Sequence, residues 1–353
     1  MSSPERIDHP GALAELLLGH LRPYQELPPS LIGLVERAVV QTLDSMMLIE
    51  DPLTPVGDRP PANTHIPIPA MDVGPAIDAA TAGIREEGLA RHFHSMIALF
   101  GHVMLTLSGS EAQRAAVQSW VAQGLSGTFM MTDRGGPAME RWQSELRTGA
   151  DGWRVRLDKI WAIGAAQCGF AIAVVRRPGA IAPTALLIAP QAYAQLDRTE
   201  VGLPYLDGTV RLGNCRGELA CDAGWALSRG GLVAVKQFLT IVRPRFVMGL
   251  MAQLHWLDRQ GRIALSDTEA ECAACIDRLA RSMAASGALT RHSEDEVMAL
   301  KFVSNSLLLQ IAQGRTVKAI MDSRDLLGFT KMEGSSYRCF YEIYMRARAS
   351  RHG

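Results

Sequence analysis

Six cysteines in 353 residues are too few for a disulfide scaffold. They stand at 168, 215, 221, 272, 275 and 339, and Cys272 with Cys275 forms a single CxxC. No second ligand pair sits at a fitting spacing, so no metal site is expected and the pair reads as thiols on a helix. Net charge is missing as well, with 36 Lys+Arg against 36 Asp+Glu. A nucleic-acid partner would call for a basic excess. A disordered chain would combine low hydrophobicity with high net charge. No uncharged apolar run approaches the ~18 residues of a membrane span. Residues 1–10 carry Glu5, Arg6 and Asp8 and hold no apolar core of a leader. These absences predict a soluble, cytoplasmic protein. Lysine is scarce: Lys159, Lys236, Lys301, Lys318 and Lys331 are the whole set. A dinucleotide-binding GxGxxG and a Gly-x-Ser-x-Gly elbow are both lacking, which disfavours a Rossmann enzyme and an acyl hydrolase.

What is present is a large apolar share, 48%, over a length that predicts two or three domains. Apolar positions at three-to-four spacing predict helices over 11–22, 30–50, 75–91, 92–107 and 110–124. Prolines crowd residues 51–70, which predicts an irregular connection. Ser110 before Glu111 suits a helix start. His92, His94 and His102 lie among Phe93, Met96 and Phe100, which points to a core helix rather than a metal site. From 127 the texture changes to short runs with turn signals, at 127–131, 152–163, 169–175, 186–189 and 209–212, which predicts a small antiparallel β domain. Helical spacing returns over 230–257, 266–286, 293–313 and 335–350, with a Ser266–Glu269 capping box. The expected order is a helical domain at 1–126, a middle β domain at 127–227 and a helical bundle at 228–353, an α+β architecture.

Four segments then carry more than texture. Residues 127–136 read G-T-F-M-M-T-D-R-G-G, and residues 152–163 read G-W-R-V-R-L-D-K-I-W-A-I. Residues 237–244 read Q-F-L-T-I-V-R-P and lead into a Met/Gly/Ala-rich helix. Arg324-Asp325 is followed by Glu333-Gly334-Ser335-Ser336. Together they resemble the acyl-CoA dehydrogenase family, over about 88–348 with gaps. The first segment is similar to the family's F-A-L-T-E-P-x-x-G-S-D, the second to G-Y-x-L-N-G-x-K-x-W-I-T-N, and the last to R-D-x-x-I-x-x-I-Y-E-G-T-S.

That resemblance implies an acyl-CoA dehydrogenase-like fold and an FAD-dependent α,β-desaturation of an acyl thioester, carried by CoA or an acyl-carrier protein. It implies that Phe129, Met131 and Thr132 lie at the flavin's edge, where N–H groups and a hydroxyl stabilise charge on the reduced ring. Trp161 would cover the flavin face. Ile163 stands where the family has a threonine, and Ser335 would pack near the ring. Leu239, Val242 and Arg243 would line the thioester channel toward its pantetheine or nucleotide end, with Gly334 beside the acyl group. Glu333 would be the base for the α proton, its pKa raised by desolvation against flavin and acyl chain. Electron-transfer flavoprotein or oxygen would take the electrons, and a homodimer or homotetramer is expected.

The departures are specific. Arg134 replaces the motif's proline, and Pro137-Ala138-Met139 replaces its G-S-D end. The R-x-x-F-G and Q-x-x-G-G-x-G-Y words that serve the FAD diphosphate are missing, and Arg259, Arg262 and Arg315 stand as substitutes. These losses keep two other readings open: an acyl-thioester-binding protein without flavin chemistry, and a flavin oxidase or monooxygenase on the same fold.

Overall fold

The computed structural model describes residues 9–46, 66–67, 74–136, 139–149, 152–180, 182–227, 232–285, 288–289, 291–314, 320–332 and 335–349. The chain begins with helices α1 (Pro10–Leu21), α2 (Pro29–Met46), α3 (Gly74–Glu87), α4 (Leu89–Ser108) and α5 (Glu111–Ala122). A two-residue strand β1 (Ile66–Pro67) precedes α3. Most of the proline-rich 51–70 lies outside the described residues. Ser110 caps α5 in a reciprocal box: its hydroxyl accepts from the Gln113 N–H at 3.2 Å, and the Gln113 side chain accepts from the Ser110 N–H at 2.9 Å. Phe93, Met96 and Phe100 are buried on α4. His94 is exposed and meets the Thr209 carbonyl.

The strands follow as β2 (Gly127–Met130), β3 (Glu145–Gly149), β4 (Gly152–Ile163), β5 (Phe170–Val175) and β6 (Thr184–Ile188), then the short helix α6 (Pro190–Tyr193), then β7 (Asp197–Tyr205) and β8 (Val210–Cys221). They form two sheets, in the orders β2-β5-β6 and β3-β4-β8-β7. Pairing is antiparallel except between β2 and β5, which run parallel.

The smaller sheet is the middle layer. Phe170, Ile172 and Val174 of β5 join the helical core, while Ala171, Ala173 and Val175 join a second core shared with Val155 and Leu157 of β4. A strand buried on both faces reads as a continuous apolar run, which is what residues 170–175 are. The larger sheet covers the other side and turns Arg154 and Arg156 to solvent.

Helices α7 (Leu232–Arg259), α8 (Asp267–Ala285), α9 (Arg291–Gln313), α10 (Ile320–Phe329) and α11 (Ser336–Ala349) complete the fold, with β9 (Ala288–Leu289) pairing β1. Ser266 and Glu269 form the expected box at the start of α8. Cys272 and Cys275 are buried on α8, and burial raises both thiols above their ordinary pKa. Among the described residues no helix is long and apolar enough to cross a membrane.

Candidate functional site

The end of β2 and the irregular stretch of β4 lie side by side. The Thr128 hydroxyl donates to the Ile163 carbonyl at 2.7 Å, and the Ile160 N–H donates to the Thr132 carbonyl at 3.1 Å. This brings Phe129, Met131, Thr132, Trp161 and Ile163 into one neighbourhood. The β4–β8 register shifts between Lys159 and Ala162, and Trp161 sits on that bulge with φ 55°. A bulge re-aims a side chain, and here the indole is 63% exposed. A tryptophan is normally well covered, so an uncovered one on strained backbone marks a surface awaiting a partner. Thr132 beside it is exposed. Asn214 of β8 lies opposite the bulge, and its side-chain oxygen is buried with no donor among the described residues.

Beneath this surface is a buried ion pair. Lys159 Nζ lies 3.2 Å from Asp133, and both side chains are 0% exposed. The same ammonium donates to the Met131 carbonyl at 3.2 Å and lies 4.8 Å from the centre of the Trp142 ring. The Asp133 carboxylate also accepts from the N–H groups of Gly135, Gln143 and Ser144. Burial alone would push the Asp133 carboxyl up; the Ser144 bond, the Lys159 charge and the N–H groups hold it below its ordinary value. Burial brings the Lys159 pKa down to about 8 despite Asp133. The acid of the 127–136 segment therefore fixes the strand end rather than facing a ligand. The residue types gave no signal of this partnership, because the two are 26 positions apart.

Helix α7 faces the strand end. The Phe129 and Phe238 rings are 5.3 Å apart, Leu239 packs half-buried on the same core, and Val242 is fully buried. Arg243, next to Val242 and one turn on from Leu239, turns toward α11. Its charge helps hold the Glu342 carboxyl below its ordinary value, after Arg338 and Arg346, against the upward push of burial. It also opposes the burial that raises the Cys339 thiol. Ser335 precedes α11 and caps it: its hydroxyl accepts from the Arg338 N–H at 3.3 Å. Glu333 and Gly334 lie outside the described residues, as do Pro137, Ala138 and Arg315.

The turn that leads to Glu333 is anchored from below. Lys301, buried in α9, donates to the Phe329 carbonyl at 3.2 Å and lies 5.0 Å from the centre of the Phe246 ring. Asn305, one turn along, donates to the Thr330 carbonyl at 3.1 Å. A lysine and an asparagine four apart in the buried, largely apolar middle of α9 were the available signal. Arg324 and Asp325 anchor the same region to the sheet: Asp325 accepts from the Leu206 N–H at 2.8 Å, and Arg324 donates to the Pro204 carbonyl and covers the Tyr205 ring. Two of the arginines considered for a diphosphate are engaged elsewhere. Arg259 pairs with Glu86 at 3.0 Å, and Arg262 with Asp322 at 2.5 Å and Asp207 at 3.1 Å. Glu86 and Asp207 are 66% and 63% exposed, so those two pairs are exchangeable contacts of small worth, whereas Asp322 is only 10% exposed and keeps Arg262 engaged.

No family profile matches the chain, and no curated protein matches it in sequence. Solved structures do match in shape. Glutaryl-CoA dehydrogenase from Mycobacterium smegmatis is 13% identical, covers 99% of this chain and 96% of its own, and has a TM-score of 0.64. Its complex with FADH2 gives 15%, 98%, 96% and 0.59. FkbI, for biosynthesis of a methoxymalonyl extender unit, is 15% identical over 76% of this chain and 83% of its own, with a TM-score of 0.60. The prolyl acyl carrier protein oxidase AnaB is 11% identical over 93% of this chain and all of its own, at 0.53. At such identities the likeness is one of architecture: the chain has the fold of the acyl-CoA dehydrogenases.

Proposed function

We propose that the protein is an FAD-dependent oxidoreductase that introduces an α,β double bond into an acyl thioester. The observation that carries this is the uncovered Trp161 on its bulge, beside exposed Thr132. A flat ring system with polar edges fits both. On this fold, neighbours are named for an FADH2 complex and for acyl-CoA and acyl-carrier-protein substrates.

FAD, when bound, supplies the acceptor for the hydride leaving the β carbon. The chain's own residues do the rest. Trp161 and Ile163 offer an apolar face to the ring, while Phe129, Met131 and Thr132 offer the strand end. Lys159 and Asp133 hold that strand end rigid. Leu239 and Arg243 line the path of the acyl thioester from the α7 side with fully buried Val242 packed behind them, and Gly334 and Ser335 border it at the start of α11. Glu333 takes the α proton. Lys301 and Asn305 hold the Phe329 and Thr330 carbonyls in the turn before it, and Asp325 ties α10 to the sheet.

Glu333→Gln keeps the shape and removes the basicity. Reduction of bound flavin by substrate should slow by roughly 10² to 10⁴ with flavin content unchanged. Reduction at the wild-type rate would place the base elsewhere. A second reading rests on Ile163 in place of a polar residue and on the carboxylates that hold Arg259 and Arg262. It keeps the acyl-thioester site and discards flavin chemistry, and a colourless protein that FAD does not stabilise would favour it.

A further inference from the structure

An open cavity of about 360 Å³ lies at the β3 edge of the larger sheet. Its wall includes Arg141, Trp142, Glu145, Arg147, Arg156 and Arg176. Glu140 lines it too, so four guanidiniums meet two carboxylates, a surplus of two positive charges on a chain whose net charge is zero. Glu145 is buried and is already satisfied. One of its oxygens takes Arg147 at 2.5 Å and the other takes Arg176. Arg176 is fixed further by its bond to the Trp142 carbonyl at 2.8 Å. Arg156 pairs in register with Glu145 across the strands, yet it makes no ion pair or hydrogen bond among the described residues. A guanidinium carries five donors, and those of Arg156 meet no acceptor among the described residues. Guanidinium forks match phosphate oxygens.

The cavity also adjoins the candidate site. Its Trp142 wall is the ring against which Lys159 lies, and Lys159 bonds the Met131 carbonyl. Along β4, Arg156 and Trp161 are five residues apart, ~17 Å at ~3.4 Å per residue. An extended phosphopantetheine arm has a reach of that order.

We propose that this cavity binds the phosphate end of the substrate's phosphopantetheine arm, with the thioester end at Trp161 and Thr132. The inference rests on the acyl-thioester reading above and adds where the arm is held. The phosphate belongs either to CoA or to an arm attached to a carrier protein.

The test begins with inorganic pyrophosphate titrated calorimetrically into the full chain at low salt. Binding is expected, and it should weaken as salt rises. Arg156→Gln should weaken it about 10- to 100-fold, the worth of one charge-assisted contact. Arg154→Gln should not, since Arg154 lies on the same strand but pairs with Glu218 at 3.4 Å outside the cavity. No binding by the unaltered chain, or equal losses in both variants, overturns the site. Three acyl thioesters are then compared: of CoA, of a carrier protein, and of pantetheine without phosphate. Arg156→Gln should lose affinity for CoA, for the carrier protein, or for both, and the pattern identifies the source of the phosphate. An equal loss for the pantetheine thioester overturns the proposal. A chain that binds pyrophosphate through Arg156 but no acyl thioester would refute the substrate reading and, with it, the arm.

Discussion

Asp133 and Lys159 show how much one buried pair can govern a strand end. The aspartate holds a loop of three N–H groups, and the lysine ties that loop to the Met131 carbonyl. Removing one partner of a buried pair leaves the other uncompensated, which costs about 3–5 kcal/mol. Asp133→Asn should lower stability by that order in urea unfolding, and a loss below 1 kcal/mol would refute the clamp. The pH dependence has a fixed sign. Folding lowers the Lys159 pKa from 10.5 to about 8. Between those values the unfolded chain holds the proton and the folded chain does not, so this group adds stability as pH rises from about 8 to 10.5. Asp133→Asn removes an attraction that favours the charged lysine, so the rise should begin at lower pH. Melting temperatures across pH 7 to 10 for both chains check it. At this scale Thr132 and Trp161 were singled out only through the resemblance of their segments to the family's motifs, since spacing alone gives Trp161 as an ordinary β-domain core residue. Lys159 and Lys301 were legible only as rare lysines, since their partners are set by tertiary packing.

Helices with long apolar periods were legible as elements, and α1 to α5, α7 to α9 and α11 stand within a few residues of their expected spans. The misses have physical causes. Strand β7 is mostly exposed at the edge of its sheet and carries Asp197, Arg198 and Glu200, so no apolar alternation marks it. Strand β3 is five residues long and polar for most of that length. Helix α10, with ten residues, has too few turns for a period to emerge. The link between α7 and α11 was equally hidden, although both helices were expected. Arg243 sits at that junction, near Glu342 and Cys339. If it contacts the substrate's arm rather than the reacting carbons, Arg243→Ala should raise the dissociation constant of the acyl thioester about tenfold or more while the limiting rate stays within about twofold. A large fall in the limiting rate at unchanged affinity would remove Arg243 from the binding path.

Across the whole molecule, one sheet is enclosed between helices and a second sheet, and the strand ends at the edge of that sandwich present the candidate site. The layer order was legible as a change from helical spacing to short apolar runs and back. The parallel β2–β5 pair was not, because pairing direction leaves no mark in a four-residue run. The departures from the family's phosphate-binding words bear on the same scale. Each lost charge-assisted contact costs ~1.5–3 kcal/mol, so FAD should bind weakly enough to be partly lost in purification. Added FAD should then raise the melting temperature, since a ligand of the folded state stabilises it. Trp161→Ala should abolish that rise, and a rise unchanged in the variant would move the ring off the bulge.

The most direct measurement is the visible spectrum of the protein reconstituted with FAD, recorded without oxygen before and after addition of acyl thioesters of CoA and of a carrier protein. The account predicts a protein-bound flavin band that at least one thioester bleaches, with an α,β-unsaturated product formed in equal amount. A flavin band that no thioester bleaches, or a protein that takes up no FAD at hundred-micromolar levels, would contradict it.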